Sequence, residues 1–269
     1  MMKRSDFLLT GAALLLLGST PSCINSLVYN GSGKHMPDLT YGHTESAIAF
    51  NANDGTTLRG WFFNRGSGSP LVVFYGGNAM NVGNFVSIAA ADTSRSYLLI
   101  NYRGYGNSEG EPSETRLVED ANSCIAQARV LMGTPGPLSL VGYSLGSGVA
   151  MQVAAGKNPA SLILICPFDS MTEVACNQVP FFPRILPMDS WDSAEYAPHI
   201  TCPVTIMRAQ TDDIVPAEST DRLIRSFPAT PTIKTYPADH NSIFSCPDFT
   251  KDILNALPAN TATDVEEVQ

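Results

Sequence analysis

Short apolar runs recur along the chain from residue 71 onwards, each bounded by Gly, Pro or Asp and separated from the next by a longer amphipathic stretch. Such continuous runs are typical of strands buried on both faces, and the stretches between them have the length of helices. The pattern predicts an α/β fold with a mostly parallel central sheet and helices on both of its faces. The predicted strands are residues 71–75, 97–101, 138–141, 162–166, 204–207 and 232–236.

An antiparallel hairpin is predicted at the start of this domain. Residues 46–50 and 57–63 have the pattern of two strands, and Asn53-Asp54-Gly55 between them is a turn signal. The predicted domain covers residues 46–257. Within it, residues 168–200 break the strand–helix rhythm and are rich in Pro, Phe, Asp and Trp, which predicts a short lid over the sheet. Residues 258–269 are acidic, lack apolar periodicity and are predicted to form a flexible tail.

The N-terminus has the pattern of an export signal, predicted over residues 1–22. Lys3 and Arg4 precede an apolar stretch that is too short to span a bilayer. The residues that end at Cys23 resemble the lipobox of bacterial lipoproteins, which implies lipidation of Cys23 and a membrane-anchored protein of the cell envelope. Ordinary signal cleavage is the alternative and would leave a soluble periplasmic or secreted protein. Residues 23–45 show no sustained periodicity and are predicted to be an exposed arm.

Composition and charge narrow the class of protein. The 269 residues are 44% hydrophobic and 15% charged, which excludes a disordered chain and fits one α/β domain with flanking segments. The net charge of −9, with no basic stripe, disfavours nucleic acid as a partner. The expected partner is a small-molecule or acylated substrate, and the sequence leaves the oligomeric state open.

The six cysteines show neither a CxxC motif nor the Cys/His spacing of a metal site, so no metal is expected. Cys124 and Cys166 lie in apolar runs and are predicted to be buried. Cys176 and Cys246 lie in loop-like sequence and are the two that could pair in an oxidising compartment, although sequence alone does not fix connectivity.

A nucleophile is indicated where residues 142–146 read Gly-Tyr-Ser-Leu-Gly. This motif follows a predicted strand and precedes a predicted helix over residues 145–155, which is the context of a nucleophile elbow. Glycines flank Ser144 because the turn is tight, and the hydroxyl then projects above the sheet. The helix that follows directs its N-terminal N–H groups at developing negative charge.

A serine hydroxyl needs a base and an acid that orients the base. His240 follows the last predicted strand, whereas the other three histidines lie in the arm or at the end of the lid. Asp212 follows the strand before it, so the chain order Ser144, Asp212, His240 is that of a nucleophile-elbow hydrolase. Asp213 and Asp169 are alternative acids. No cofactor is required by this chemistry.

An oxyanion hole is predicted from two backbone N–H groups. One belongs to Leu145, directly after the nucleophile. The other belongs to Asn78, with Ala79 as the alternative, in the Gly-rich loop that follows the strand 71–75.

Together these motifs resemble the α/β-hydrolase superfamily, in its serine aminopeptidase-like and depalmitoylase-like branch, over about residues 46–257. The resemblance implies the α/β-hydrolase fold, a Ser-His-Asp triad and catalysis without a cofactor, and it does not specify the substrate. Gly76 departs from the pattern, since relatives carry histidine before Gly-Asn-Ala. The matching segments are residues 53–55, 58–61, 77–79, 101–110, 142–146, 167–168, 191–193 and 202–204 and those around Asp212 and His240.

The predicted activity is hydrolysis of a carboxylic ester through an acyl-enzyme, with thioester and amide cleavage as further options. Two alternatives use the same fold differently: a catalytically inactive binding protein of the cell envelope, and an acyltransferase with the same triad. The apolar residues of the lid are expected to line an acyl pocket or to pack the lid itself. They are Val179, Phe181, Phe182 and Ile185.

Overall fold

The computed structural model describes residues 28–29, 43–134, 136–178 and 188–258. Its centre is an eight-stranded sheet with the order β1-β2-β4-β3-β5-β6-β7-β8. β1, β2 and β4 pair antiparallel, and every other neighbouring pair is parallel. The strands are β1 Ala47–Asn51, β2 Thr57–Phe63, β3 Leu71–Tyr75, β4 Ser96–Ile100, β5 Leu138–Tyr143, β6 Ser161–Ile165, β7 Val204–Ala209 and β8 Thr232–Tyr236.

Helices cover both faces of the sheet, because the buried strands carry apolar side chains on both sides. α2 and α3 pack on one face, and α1 and α7 pack on the other. The helices described are α1 Val86–Ala91, α2 Glu114–Met132, α3 Leu145–Lys157, α4 Met171–Gln178, α5 Ser193–Tyr196, α6 Ala217–Ser226 and α7 Phe249–Ala256.

The predicted fold class is confirmed, and the bounds of β2, β3 and β8 agree with the predicted ones. The predicted hairpin is confirmed as well, with Ala49 opposite Arg59 in the register. β5 runs two residues further than predicted and so reaches Tyr143. The elbow residue Ser144 therefore lies directly between the end of β5 and the start of α3.

One expectation about a cysteine and one about the arm need correction. Cys176 lies in α4 and not in a loop, and no disulfide joins it to Cys246. Val28 and Tyr29, which belong to the predicted exposed arm, are only 4% and 3% exposed. Both pack into the core that contains α3. Burial of Cys124 and Cys166 agrees with the prediction.

Several predicted segments lie outside the described residues. They are the signal peptide 1–22, Cys23 and most of the arm, residues 179–187 of the lid with all four of its apolar pocket candidates, and the tail beyond residue 258. Among the helices that the structure describes, none combines the length and the apolar character needed to cross a membrane.

Candidate active site

Ser144 sits in a strained turn between β5 and α3. Its backbone has φ 51° and ψ −117°, a conformation that residues with a side chain rarely adopt. The flanking glycines make the turn possible, since a Cβ would lie 2.3 Å from the Gly146 oxygen if built on Gly142, and 2.1 Å from the Tyr75 oxygen if built on Gly146. The Ser144 N–H donates to the Ile165 carbonyl at the end of β6, at 2.9 Å. The turn is thus held between neighbouring strands.

His240 follows β8 and reaches back to this turn. Its Nε2 lies 2.9 Å from Ser144 Oγ. The residue is 4% exposed, and its backbone carbonyl accepts a hydrogen bond of 2.9 Å from the Tyr143 hydroxyl. The Tyr143 ring also packs against the imidazole, at 5.3 Å between centroids. This packing fixes the ring close to the serine, in the geometry of a base that can receive its proton.

Asp212, in the loop after β7, completes a hydrogen-bonded chain. Its two carboxylate oxygens lie 2.9 and 2.8 Å from His240 Nδ1. One of these oxygens also accepts from the backbone N–H groups of Ile214 and Val215, at 3.0 and 2.8 Å. The carboxylate is therefore oriented by the loop itself, and its charge would favour an imidazolium if His240 took a proton.

The contacts that the structure gives the two alternative acids do not involve His240. Asp169 pairs with Arg222 and accepts from the Ser219 hydroxyl at 2.6 Å. The Gln178 side-chain amide donates to the backbone carbonyl of Asp213 at 2.8 Å. Of these carboxylates, Asp212 is the one bonded to the histidine.

The loop after β3 lies beside the nucleophile. A Cβ on Gly77 would lie 3.4 Å from the Ser144 Cβ and 2.8 Å from the Tyr143 ring, so only glycine fits at this close approach. Asn78 follows directly, and Ala79 then has φ 57°. On the other side, the Leu145 N–H lies at the N-terminus of α3, where helix N–H groups have no partner within the helix. Both predicted oxyanion donors thus belong to segments that border Ser144.

Cys166 is a member of this site that the sequence did not single out. It follows β6 directly, has φ 47° and is 1% exposed. Burial raises the pKa of its thiol, and the nearby Asp212 carboxylate raises it further. A cysteine at the end of an apolar run is typical of a core residue, so the sequence carried no signal that Cys166 lies beside Asp212.

Cys166, Asp212 and His240 bring one ligand atom each within 4.8 Å of one another, the spacing of a three-ligand metal site. The groups do not suit that role well. Metal binding requires a thiolate, whereas the raised pKa of Cys166 favours the neutral thiol. The His240 nitrogen that faces Asp212 is also already hydrogen-bonded to it. The arrangement is better suited to holding the carboxylate and the imidazole in line with Ser144.

Comparison with known proteins agrees with this architecture. A family model described as the alpha/beta hydrolase fold matches residues 70–190. An uncharacterised protein of Mycobacterium tuberculosis is 36% identical over 186 residues, which are 66% of this chain and 65% of that protein. The lysophosphatidylserine lipase of Danio rerio is 34% identical over 174 residues, which are 56% of this chain and 45% of the lipase.

The chain thus spans a little under two thirds of the length of the mycobacterial relative. Among solved structures, an esterase of Pyrococcus furiosus superposes with a TM-score of 0.67 at 14% identity, over 84% of this chain and 98% of the esterase. That similarity concerns the fold. The family match, the sheet order and the elbow lead to the same conclusion: the chain has the α/β-hydrolase fold.

Proposed function

We propose that this protein is a serine hydrolase that cleaves a carboxylic ester through an acyl-enzyme intermediate. The observation that carries the proposal is the continuous hydrogen-bonded chain from Ser144 Oγ through His240 to Asp212, with distances of 2.9 and 2.8 Å. A serine, an imidazole and a carboxylate in this order form the group that activates a hydroxyl for attack on a carbonyl.

The proposed reaction begins when Ser144 Oγ attacks the acyl carbon and His240 Nε2 takes its proton. Asp212 stabilises the imidazolium, and the N–H groups of Leu145 and Asn78 receive the oxyanion of the tetrahedral intermediate. His240 then gives the proton to the leaving alcohol. In the second half, water repeats these steps on the acyl-enzyme, releases the acid and restores Ser144.

The names of two similar proteins support an ester substrate over a thioester or an amide. The Danio rerio relative is named for a lysophosphatidylserine lipase, and the Pyrococcus furiosus neighbour is an esterase. Neither fixes the substrate of this chain. The proposed substrate is an acylated small molecule, and we place the protein in the serine aminopeptidase-like and depalmitoylase-like branch on the motifs quoted above.

The test is a series of p-nitrophenyl esters from short to long acyl chains, with matched thioester and anilide substrates. Hydrolysis by the wild-type protein and its loss in Ser144→Ala would support the proposal, and the fastest chain length would describe the acyl site. A folded wild-type protein that cleaves none of these substrates would favour the inactive binding protein. Transfer of the acyl group to an added alcohol in preference to water would favour the acyltransferase.

We also propose that the protein is exported and anchored by a lipid on Cys23. The support is the sequence of residues 1–23 alone. Metabolic labelling with palmitate should mark the wild-type protein and not Cys23→Ala. An unlabelled wild-type protein would favour the soluble periplasmic or secreted form.

A further inference from the structure

The N-terminal arm makes contact with the predicted oxyanion loop, although it lies far from that loop in sequence. The carbonyl of Val28 accepts a hydrogen bond of 2.7 Å from the Asn78 side-chain amide. From the other side, the Tyr105 hydroxyl donates to the Asn78 side-chain oxygen, also at 2.7 Å. The Asn78 side chain is thus held at both its amide nitrogen and its oxygen, and the arm supplies the acceptor for the nitrogen.

This arm contact is itself firmly held. The Tyr29 hydroxyl donates to Asp189 at 2.5 Å, and the Trp191 indole N–H donates to the Tyr29 oxygen at 3.1 Å. Burial, followed by the hydrogen bond to Asp189, raises the pKa of Tyr29 well above its usual range, so the hydroxyl keeps its proton and remains a donor. Two adjacent arm residues with 3% and 4% exposure cannot shift without opening a cavity.

The segment that receives Tyr29 also borders the nucleophile helix. Trp191 is fully buried, and its Cε3 lies 2.9 Å from where a Cβ on Gly148 would sit. Gly148 lies one turn into α3, the helix that begins directly after Ser144. The arm therefore touches two parts of the site: the loop that carries Asn78, and the residue that packs on α3.

The loop needs an external support. Ala79 has φ 57°, a conformation that costs about 1 kcal/mol or more for a residue with a side chain and persists only where surrounding contacts enforce it. The Met80 N–H donates to the Gly77 carbonyl at 3.2 Å and closes the turn around Asn78 and Ala79. The Asn78 side chain ties this turn to two other segments, through the Val28 carbonyl and the Tyr105 hydroxyl.

We infer that Val28 and Tyr29 are positioning residues of the active site, which act by holding Asn78 so that its backbone N–H is aimed at the oxyanion. This inference rests on the proposed function. These two residues are then a working part of the catalytic domain and not a passive connection to it. Because the oxyanion exists only in the transition state, loss of the arm contact should lower kcat and change KM little.

The experiment measures kcat and KM for a p-nitrophenyl ester with the full-length protein and four variants: Tyr29→Phe, Tyr29→Ala, Asn78→Ala and the double variant Tyr29→Ala with Asn78→Ala. We expect Tyr29→Ala and Asn78→Ala each to lower kcat about 10-fold, which is less than the roughly 100- to 1,000-fold cost of removing an oxyanion donor, because the backbone N–H is displaced and not removed. Tyr29→Phe keeps the ring packing and loses only the hydroxyl, so a loss of a few fold is expected. The double variant should lose no more than the worse single variant, because both changes release the same loop.

Tyr97→Phe is the matched control. The Tyr97 hydroxyl is also buried and donates to an aspartate, Asp92, at 2.6 Å, but it lies near the amino end of β4, away from the carboxyl ends of the parallel strands. This variant should lower stability in a similar way and leave kcat unchanged. A trifluoromethyl ketone, which forms a tetrahedral oxyanion on serine, should bind more weakly to the Tyr29 and Asn78 variants in proportion to their loss of kcat.

Three results would overturn the inference: unchanged kcat in Tyr29→Ala and Asn78→Ala, losses that multiply in the double variant, or an equal fall of kcat in Tyr97→Phe. Complete inactivity of the wild-type protein would overturn the proposed function together with this inference. An active wild type with active arm variants would overturn the arm's role alone.

Discussion

Replacement of Asp212 by asparagine tests how the carboxylate controls His240. In the structure one Asp212 oxygen accepts from the backbone N–H groups of Ile214 and Val215, and both oxygens face His240 Nδ1. In Asp212→Asn, the amide oxygen should accept the hydrogen bonds from the two backbone N–H groups, since an NH₂ group in that position would place donor against donor. The NH₂ group then faces Nδ1 and donates to it.

This donor would move the imidazole proton to Nε2, the nitrogen that lies 2.9 Å from Ser144 Oγ. An Nε2 that carries a proton cannot take the one from the serine, and no carboxylate remains to stabilise the imidazolium. We expect kcat/KM for a p-nitrophenyl ester to fall by about 10,000-fold, as in other triads with this change, which corresponds to about 5 kcal/mol of transition-state stabilisation.

Asp213→Asn is the matched control, because it replaces a carboxylate by an amide one residue further along the chain. It should change kcat/KM less than about 2-fold, as expected for a group outside the triad. Asp169→Asn tests the other alternative acid. It removes the pairing with Arg222 and should lower the melting temperature without a large effect on kcat. A severe loss of kcat in Asp169→Asn or Asp213→Asn, with activity kept in Asp212→Asn, would refute the assignment.

Three further predictions use other parts of the structure. Gly77→Ala should lower kcat/KM for ester hydrolysis about 100-fold, because the added Cβ would lie 2.8 Å from the Tyr143 ring. Gly156→Ala on α3 is the control and should leave ester hydrolysis unchanged, because no atom lies within 4 Å of the added Cβ. Equal kinetics for the two variants would contradict this prediction. Burial opposes ionisation of Asp92, but hydrogen bonds from neighbouring side chains lower its pKa to about 2. The ionised carboxylate therefore stabilises the folded protein above pH 4, and this stabilisation declines as the pH falls toward 2. In urea titrations, Asp92→Asn should lower the free energy of unfolding by about 2 kcal/mol at pH 7 and by about half of that at pH 3. Equal losses at the two pH values would argue against this pH dependence. Cys166 should resist alkylation by iodoacetamide in the native protein at pH 8 and should react after unfolding, because burial raises the pKa of its thiol. Peptide mass spectrometry measures the labelling, and rapid labelling of the native protein would contradict the prediction.

Much of the sheet could be predicted because strands buried on both faces appear as continuous apolar runs. β3 is the clearest case, since all five of its residues are apolar and all are buried. β5 is the instructive exception. Gly142 ends the apolar run in the sequence, yet Gly142 and Tyr143 still pair with Leu164 and Ile165 of β6. Strand ends depend on partner strands, which the local pattern does not contain.

The site shows the same division between local and distant information. Ser144, Asp212 and His240 were indicated by turns that each follow a strand, and the structure brings their side chains into one hydrogen-bonded chain. The burial of Tyr29 had no such signal, because two residues carry no periodicity and the partners of Tyr29 lie about 160 positions away. The thiol of Cys166 likewise gave no sign of its contact with Asp212.

The measurement that tests the central claim most directly is reaction of the purified protein with a fluorophosphonate, followed by peptide mass mapping. The reagent phosphonylates only serines whose hydroxyl is activated by a base. The account predicts one adduct, on Ser144, that is absent in Ser144→Ala and forms far more slowly in His240→Ala. A folded wild-type protein that stays unlabelled, or an adduct on another residue at full rate in both variants, would contradict it.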